Sequence, residues 1–102
     1  MSLSESQKKY LRGRGHDLKP LIIIGDAGLS ESLIAEFQST LAHHELMKIK
    51  IRTGDRDERA ELIDKLCSDH DAALIQQIGS VALLYRANAE KKPEKRLRIP
   101  SR

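Results

Sequence analysis

The residues of this 102-residue chain best placed to do chemistry are Gly25-Asp26-Ala27-Gly28, between an apolar run and the start of a helix. Two glycines at this spacing let the backbone turn sharply and bring its N–H groups onto a phosphate with no Cβ in the way. The N-terminus of the following helix would add partial positive charge at the same place. Loops of this form clamp the nucleic-acid backbone in KH modules. The tetrapeptide alone fits an ordinary strand-to-helix turn equally well, and the carboxylate of Asp26 works against an anion.

A second candidate is the row Lys48, Lys50 and Arg52. On a strand rising roughly 3.3 Å per residue, alternate side chains share a face with their roots about 6.6 Å apart, which suits successive phosphates of an RNA strand. A solvated sheet face produces the same alternation. Three cations with no carboxylate between them tilt the reading towards binding. Arg12, Arg14 and Lys19 gather around Gly13 and Gly15, with His16 among them. Arginine forks onto phosphate oxygens, and lysine acts there as a point charge. Lys91, Lys92, Lys95, Arg96 and Arg98 make a basic end that would add non-specific affinity as a flexible arm, or only solvate the terminus.

Enzyme chemistry is poorly supplied. Cys67 falls in an apolar helix stripe and reads as a buried thiol. His16, His43, His44 and His70 have no metal-type spacing with Cys67 or with paired carboxylates, so no metal and no cofactor are expected. Adjacent His43 and His44 should point apart on a helix, one packed and one wet. The run Asp55, Asp57, Glu58, Glu61 and Asp64 reads as a helix start favoured by the macrodipole rather than a catalytic pair. The aromatics are Tyr10, Phe37 and Tyr85; Phe37 reads as core, which disfavours a stacking platform of the RRM type.

The elements that must hold these residues follow from periodicity. Ser4-Glu5-Ser6-Gln7 has the form of a capping box, opening a helix that Gly13 and Gly15 should stop. Pro20 favours an extended Lys19, and Leu21 to Ile24 predict a strand covered on both faces. Ser30 caps a second helix with Leu33, Ile34, Phe37 and Leu41 on one stripe, ended at His43-His44-Glu45. Met47, Ile49 and Ile51 alternate with Lys48, Lys50 and Arg52 in a half-buried strand. Thr53-Gly54-Asp55 turns the chain into a third helix with Leu62, Ile63, Leu66 and Cys67 inward. Ala73–Ile78 and Val81–Arg86 form a hairpin through Gly79-Ser80. Residues 1–87 thus make one domain, and 88–102 a basic tail in which Leu97-Arg98-Ile99 could dock. The order α-β-α-β-α-β-β predicts an α+β fold, a two-layer α/β arrangement with a mixed four-stranded sheet. Its strand–helix–strand units should bring parallel strands together as neighbours, the last hairpin adding an antiparallel one.

Composition bounds the class. Apolar residues are 39% and charged residues 32% of the chain, which supports one small folded domain. The longest apolar run is Leu21-Ile22-Ile23-Ile24, far below the roughly 20 residues of a membrane span. No signal-peptide pattern follows Met1, and a single Cys67 excludes a disulfide framework. These features fit a cytoplasmic protein with no membrane partner, and a monomer is the favoured state. The net charge of +3 conceals an asymmetry: residues 1–24 carry +3, 25–52 carry −1, 53–78 carry −4 and 79–102 carry +5. If the two basic ends meet in the fold, their joint face would attract a polyanion.

Several blocks together resemble a known family. Leu11-Arg12-Gly13, His16 with Leu18-Lys19-Pro20, Ile24-Gly25-Asp26-Ala27-Gly28-Leu29, His44-Glu45-Leu46-Met47-Lys48-Ile49-Lys50, and Ile78-Gly79 with Leu84-Tyr85-Arg86 resemble the YhbY family in order and spacing. These are bacterial single-domain members of the CRM group (chloroplast RNA splicing and ribosome maturation). The resemblance spans about Ser4 to Arg86. It implies a fold like the C-terminal domain of translation initiation factor three and a non-enzymatic, RNA-binding role in maturation of the large ribosomal subunit, with precursor rRNA as partner. Carried over by position, the G-x-x-G loop is Gly25 to Gly28, and the basic positions beside it are Arg12, Lys19, Lys48, Lys50 and Arg86. Asp26 stands where family loops often hold a basic or amide residue. Two rival readings remain: a ribosome-associated adaptor that binds protein, and an enzyme holding a phosphorylated small molecule at Gly25–Gly28, for which no general base is evident.

Overall fold

The computed structural model describes residues 2–102. Ser4 accepts from the Gln7 amide while the Gln7 side chain accepts from the Ser4 amide, a complete capping box at the head of α1 (Glu5–Gly15). Gly13 does not stop this helix, contrary to expectation; the helix runs on and ends at Gly15, with His16 as its C-cap. Gly15 serves a second purpose. A Cβ there would lie 2.5 Å from Leu83 Cδ2, so glycine is what lets α1 settle onto the sheet.

The sheet contains β1 (Pro20–Ile24), β2 (Leu46–Ile51), β3 (Ala73–Ile78) and β4 (Val81–Tyr85) in the order β1-β2-β4-β3. Strands β1 and β2 are parallel, and β4 runs antiparallel to both β2 and β3. The parallel pair expected across the third helix is therefore split: β2 and β3 point the same way, with β4 inserted between them. Two apolar runs competed for the centre. Ala82, Leu83, Leu84 and Tyr85 of β4 are all buried and take the middle of the sheet, as a strand apolar on both faces should. The other run, β1, is left at the edge. Its Ile22 and Ile24 are 1% exposed, whereas Leu21 and Ile23 are 47% and 49% exposed, so the expectation of cover on both faces fails for β1.

Helices α2 (Glu31–His44) and α3 (Arg56–Asp69) pack on one face of the sheet. Phe37 and Leu41 from α2 and Ile63 and Leu66 from α3 close a core over Ile22, Ile24, Met47, Ile49, Ile51, Ala82 and Leu84. The caps follow the sequence signals: Ser30 accepts from the Leu33 amide, and Asp55 and Glu58 form a second capping box. On the other face α1 places Leu11 and Tyr10 over Leu46, Ile75, Leu83 and Tyr85, and Leu97 and Ile99 of the C-terminal segment complete that cluster. The docking of Leu97 and Ile99 is as expected. Its anchor was not foreseen: Glu45, 1% exposed at φ 63°, accepts from the amides of Asn88 and Leu97 and from Lys91 Nζ. Gln7 Nε2 also donates to Pro100 O at 2.7 Å. Helix α1 and this segment roof only the part of the face around Leu46 and Tyr85. The part towards Ile24, Lys50 and Val81 stays open.

Candidate nucleic-acid interface

The loop Gly25–Gly28 leaves the sheet at the open end, since Ile24 pairs with Ile51 and the Arg52 amide donates to Ile24 O at 2.8 Å. Gly28 N–H donates to Gly25 O at 3.0 Å, closing a four-residue turn, and Gly28 sits at φ +66°, a conformation for which glycine is the natural choice. The Gly28 amide is thus spent inside the loop. Among the described residues, nothing accepts from the amides of Asp26, Ala27 or Leu29, which leaves them for an external acceptor. A Cβ at Gly25 or Gly28 would meet nothing within 4 Å, so both glycines face open space. Thr53 Oγ1 lies 3.5 Å from Gly25 O, tying the loop to the end of β2. The loop runs directly into the 14-residue helix α2, whose dipole favours an anion at its start.

Strand β2 places Lys48 and Lys50 on the face opposite Met47, Ile49 and Ile51, as the alternation required, and Arg52 continues the row beside the loop. In register, Lys48 stands across from Pro20 and Lys50 across from Ile23. Lys48 Nζ donates to His16 O at 3.2 Å, which holds it over the junction of α1 and β1. An ammonium has three donors, so two remain free. Lys19 is exposed immediately before β1, one residue from the partner of Lys48. The structure therefore brings together Lys19, Gly25, Ala27, Gly28, Lys48, Lys50 and Arg52.

Four other sequence candidates fall differently. Asp26 and Leu29 line an open groove towards α3, where Glu58 and Glu61 stand with Lys65. Arg14 turns back on its own helix, its Nη1 2.9 Å from Tyr10 Oη and its guanidinium 5.9 Å from the ring centre. Arg12 is half-buried on α1 and makes no hydrogen bond to the loop. Arg86 follows β4 at the opposite end of the sheet, where Leu46 pairs with Tyr85, and donates to His70 O at 3.0 Å. There it satisfies a carbonyl at the end of α3.

The remaining titratable groups supply little chemistry. Burial, with the charge of Asp64, pushes the Cys67 thiol up to about 11, so it stays protonated. His43 and His44 do not point apart: both are exposed in the last turn of α2, and their rings meet edge-on at 4.7 Å. His70 Nδ1 is 3.0 Å from Gln38 Nε2, and its ring packs on Phe37. Among the described residues, no three His, Cys, Asp or Glu side chains gather as metal ligands would. No helix there is long and apolar enough to cross a membrane.

One feature had no sequence signal. Leu18, Pro20, Ile78, Val81 and Leu83 surround a pocket of about 270 Å³ on the open half-face, with Lys48 and Gln76 as its polar members. Its residues lie in four separate stretches of chain. Only the exposed apolar character of Ile78 hinted at it, and that character is not visible until the fold is known.

A mixed four-stranded sheet with α2 and α3 on one face and α1 on the other is the α+β fold that the resemblance to the CRM group implies. The family model described as the CRS1 / YhbY (CRM) domain matches residues 3–86, and the chain belongs to that family. It is similar to a Pseudomonas aeruginosa protein named "Probable RNA-binding protein", 43% identical over 102 residues, spanning all of this chain and 96% of that one. A Haemophilus influenzae protein named "RNA-binding protein" is 38% identical over 91 residues, 89% of this chain and 92% of its own. The solution structure of a hypothetical protein from Staphylococcus aureus superposes with a TM-score of 0.77 at 33% identity, covering 97% of this chain and all of that one.

Proposed function

We propose that this protein binds RNA through the open half of the α1 face, and that its target is precursor rRNA of the large ribosomal subunit. The observation that carries the reading is the row Lys48, Lys50 and Arg52 leading along β2 to the Gly25–Gly28 loop. The free amides of Asp26, Ala27 and Leu29 capture one phosphate, assisted by the N-terminus of α2. The cations of β2, with Lys19, follow the backbone away from it. Glu58 and Glu61 of α3 border the loop in the groove they share with Asp26, so the phosphate approaches from the β2 side, where Lys48, Lys50 and Arg52 stand. The names of the relatives support RNA as the ligand; the large-subunit target rests on the family resemblance.

The protein acts by binding, not by turnover: the site offers donors and cations but no activated nucleophile. Replacing Lys48 and Lys50 with alanine should flatten the slope of log affinity against log salt by about 1.4 for a single strand, two phosphate contacts at about 0.7 each. An unaltered slope would remove β2 from the interface. Crosslinking in cells identifies the target. Large-subunit precursor sequences should dominate the recovered RNA, and protein partners that survive nuclease treatment in place of RNA would favour the adaptor reading.

A further inference from the structure

The aliphatic walls of the pocket between the α1–β1 connection and the β3–β4 hairpin are not used in phosphate capture, yet Lys48, one of the cations assigned to the backbone, lines it. Its walls are aliphatic: Leu18 and Pro20 on one side, Ile78 and Val81 on the other. Ile78 is 68% exposed and Leu18 39%, large apolar surfaces that an isolated domain gains nothing by leaving in water. At about 270 Å³ the pocket is smaller than the roughly 300–1,000 Å³ typical of drug-sized ligands, which suits one planar ring.

Two further observations specify the occupant. The first is a bulge in β3, where the register shifts between Leu74 and Gln76, opposite Leu84 and Leu83. Ile75 is buried in the cluster beneath α1, and the next residue, Gln76, lines the pocket, so two consecutive side chains serve the same face. Among the described residues the Gln76 side-chain amide has no hydrogen-bond partner. It offers a donor and an acceptor together, the pattern that matches the edge of a nucleobase. The second is charge. Lys48 lines the pocket, Lys50 is next along the strand, and no carboxylate lines it. A second copy of the chain would bring the same lysines against these, whereas a base arrives with a phosphate on either side.

We propose that this pocket receives one unpaired RNA base, its edge met by Gln76 and its flanking phosphates by Lys48 and Lys50. The inference rests on the RNA-binding reading and adds selectivity for single-stranded over paired RNA. A base held in a duplex has its edge occupied and its faces stacked, and cannot enter.

The test compares a short single-stranded RNA of mixed sequence with a fully paired hairpin of equal phosphate number, by fluorescence anisotropy at fixed salt. The wild type should prefer the single strand. Ile78→Ser, at an exposed position, and Gln76→Ala should each weaken the single strand about tenfold and leave the hairpin and the salt slope unchanged. Unchanged single-strand affinity in both variants, or an equal loss for both RNAs, overturns the pocket while RNA binding stands. A wild-type dimer that Ile78→Ser dissociates in sedimentation equilibrium assigns the face to self-association and overturns it too. A wild type that binds neither RNA removes the RNA-binding reading itself, and the pocket with it.

Discussion

The Gly25–Gly28 turn and Glu45 show how different the legibility of single positions can be. The Gly25–Gly28 turn was readable because two glycines between an apolar run and a helix cap leave few alternatives. Their unequal roles were not readable. Gly28 holds φ +66° and spends its amide on Gly25 O, whereas Gly25 has no such strain and opens to solvent. Gly25→Asp is therefore the clean probe of the loop. It should keep the fold by circular dichroism and weaken RNA binding about tenfold, since a carboxylate then stands where the phosphate must. Glu45 was illegible for the opposite reason. A glutamate ending a helix reads as solvated, and its partners Asn88 and Leu97 lie 43 and 52 residues further on. Burial pushes its carboxyl up, but the Asn88 and Leu97 amides and Lys91 outweigh that and hold it below the usual carboxylate range. Its stabilisation is thus complete above the ordinary carboxylate pKa and lost as pH falls through the lowered value. Glu45→Gln should lower stability at neutral pH by about 1–3 kcal/mol in urea unfolding, and speed amide exchange at Leu97. The deficit against wild type should shrink in acid.

At the scale of elements, the helices and strands were legible because each carries its own period and caps. Ser4, Ser30 and Asp55 mark the helix starts, and the alternation of β2 fixes which of its faces is basic. Strand order was not legible, because it depends on which apolar run wins the centre. Leu21–Ile24 and Val81–Tyr85 look alike in sequence. The hairpin through Gly79 returns β4 beside β2, and α1 roofs β2, β4 and β3 rather than β1. The open half-face exists because of that choice. What sets the reach of α1 is its approach at Gly15, where an added Cβ would press on Leu83, itself 2% exposed. Gly15→Ala should destabilise the protein by about 1–3 kcal/mol in denaturant melts, with RNA affinity of the folded fraction unchanged. A neutral substitution would mean that α1 rides higher on the sheet than described.

For the molecule as a whole, the net charge of +3 says little and its arrangement says much. The acidic run of residues 53–78 is dominated by α3, which packs behind the sheet with α2. The basic N-terminal stretch and β2 share the other face, and the basic C-terminal segment is strapped along it through Leu97 and Ile99. The two basic ends do meet, as the charge asymmetry suggested they could. They meet over the roofed half of the face, around Leu46 and Tyr85, and not at the G-x-x-G loop. On the proposed reading RNA contacts the open half-face and the loop, and nothing behind the sheet. Amide chemical-shift mapping during titration with a short single-stranded RNA tests it most directly. Saturable shifts are predicted at Asp26, Ala27, Leu29, Lys48, Lys50 and Ile78, with residues 66–69 at the far end of α3 unmoved. Shifts concentrated on α3, or none at the loop and β2 at saturation, would contradict it.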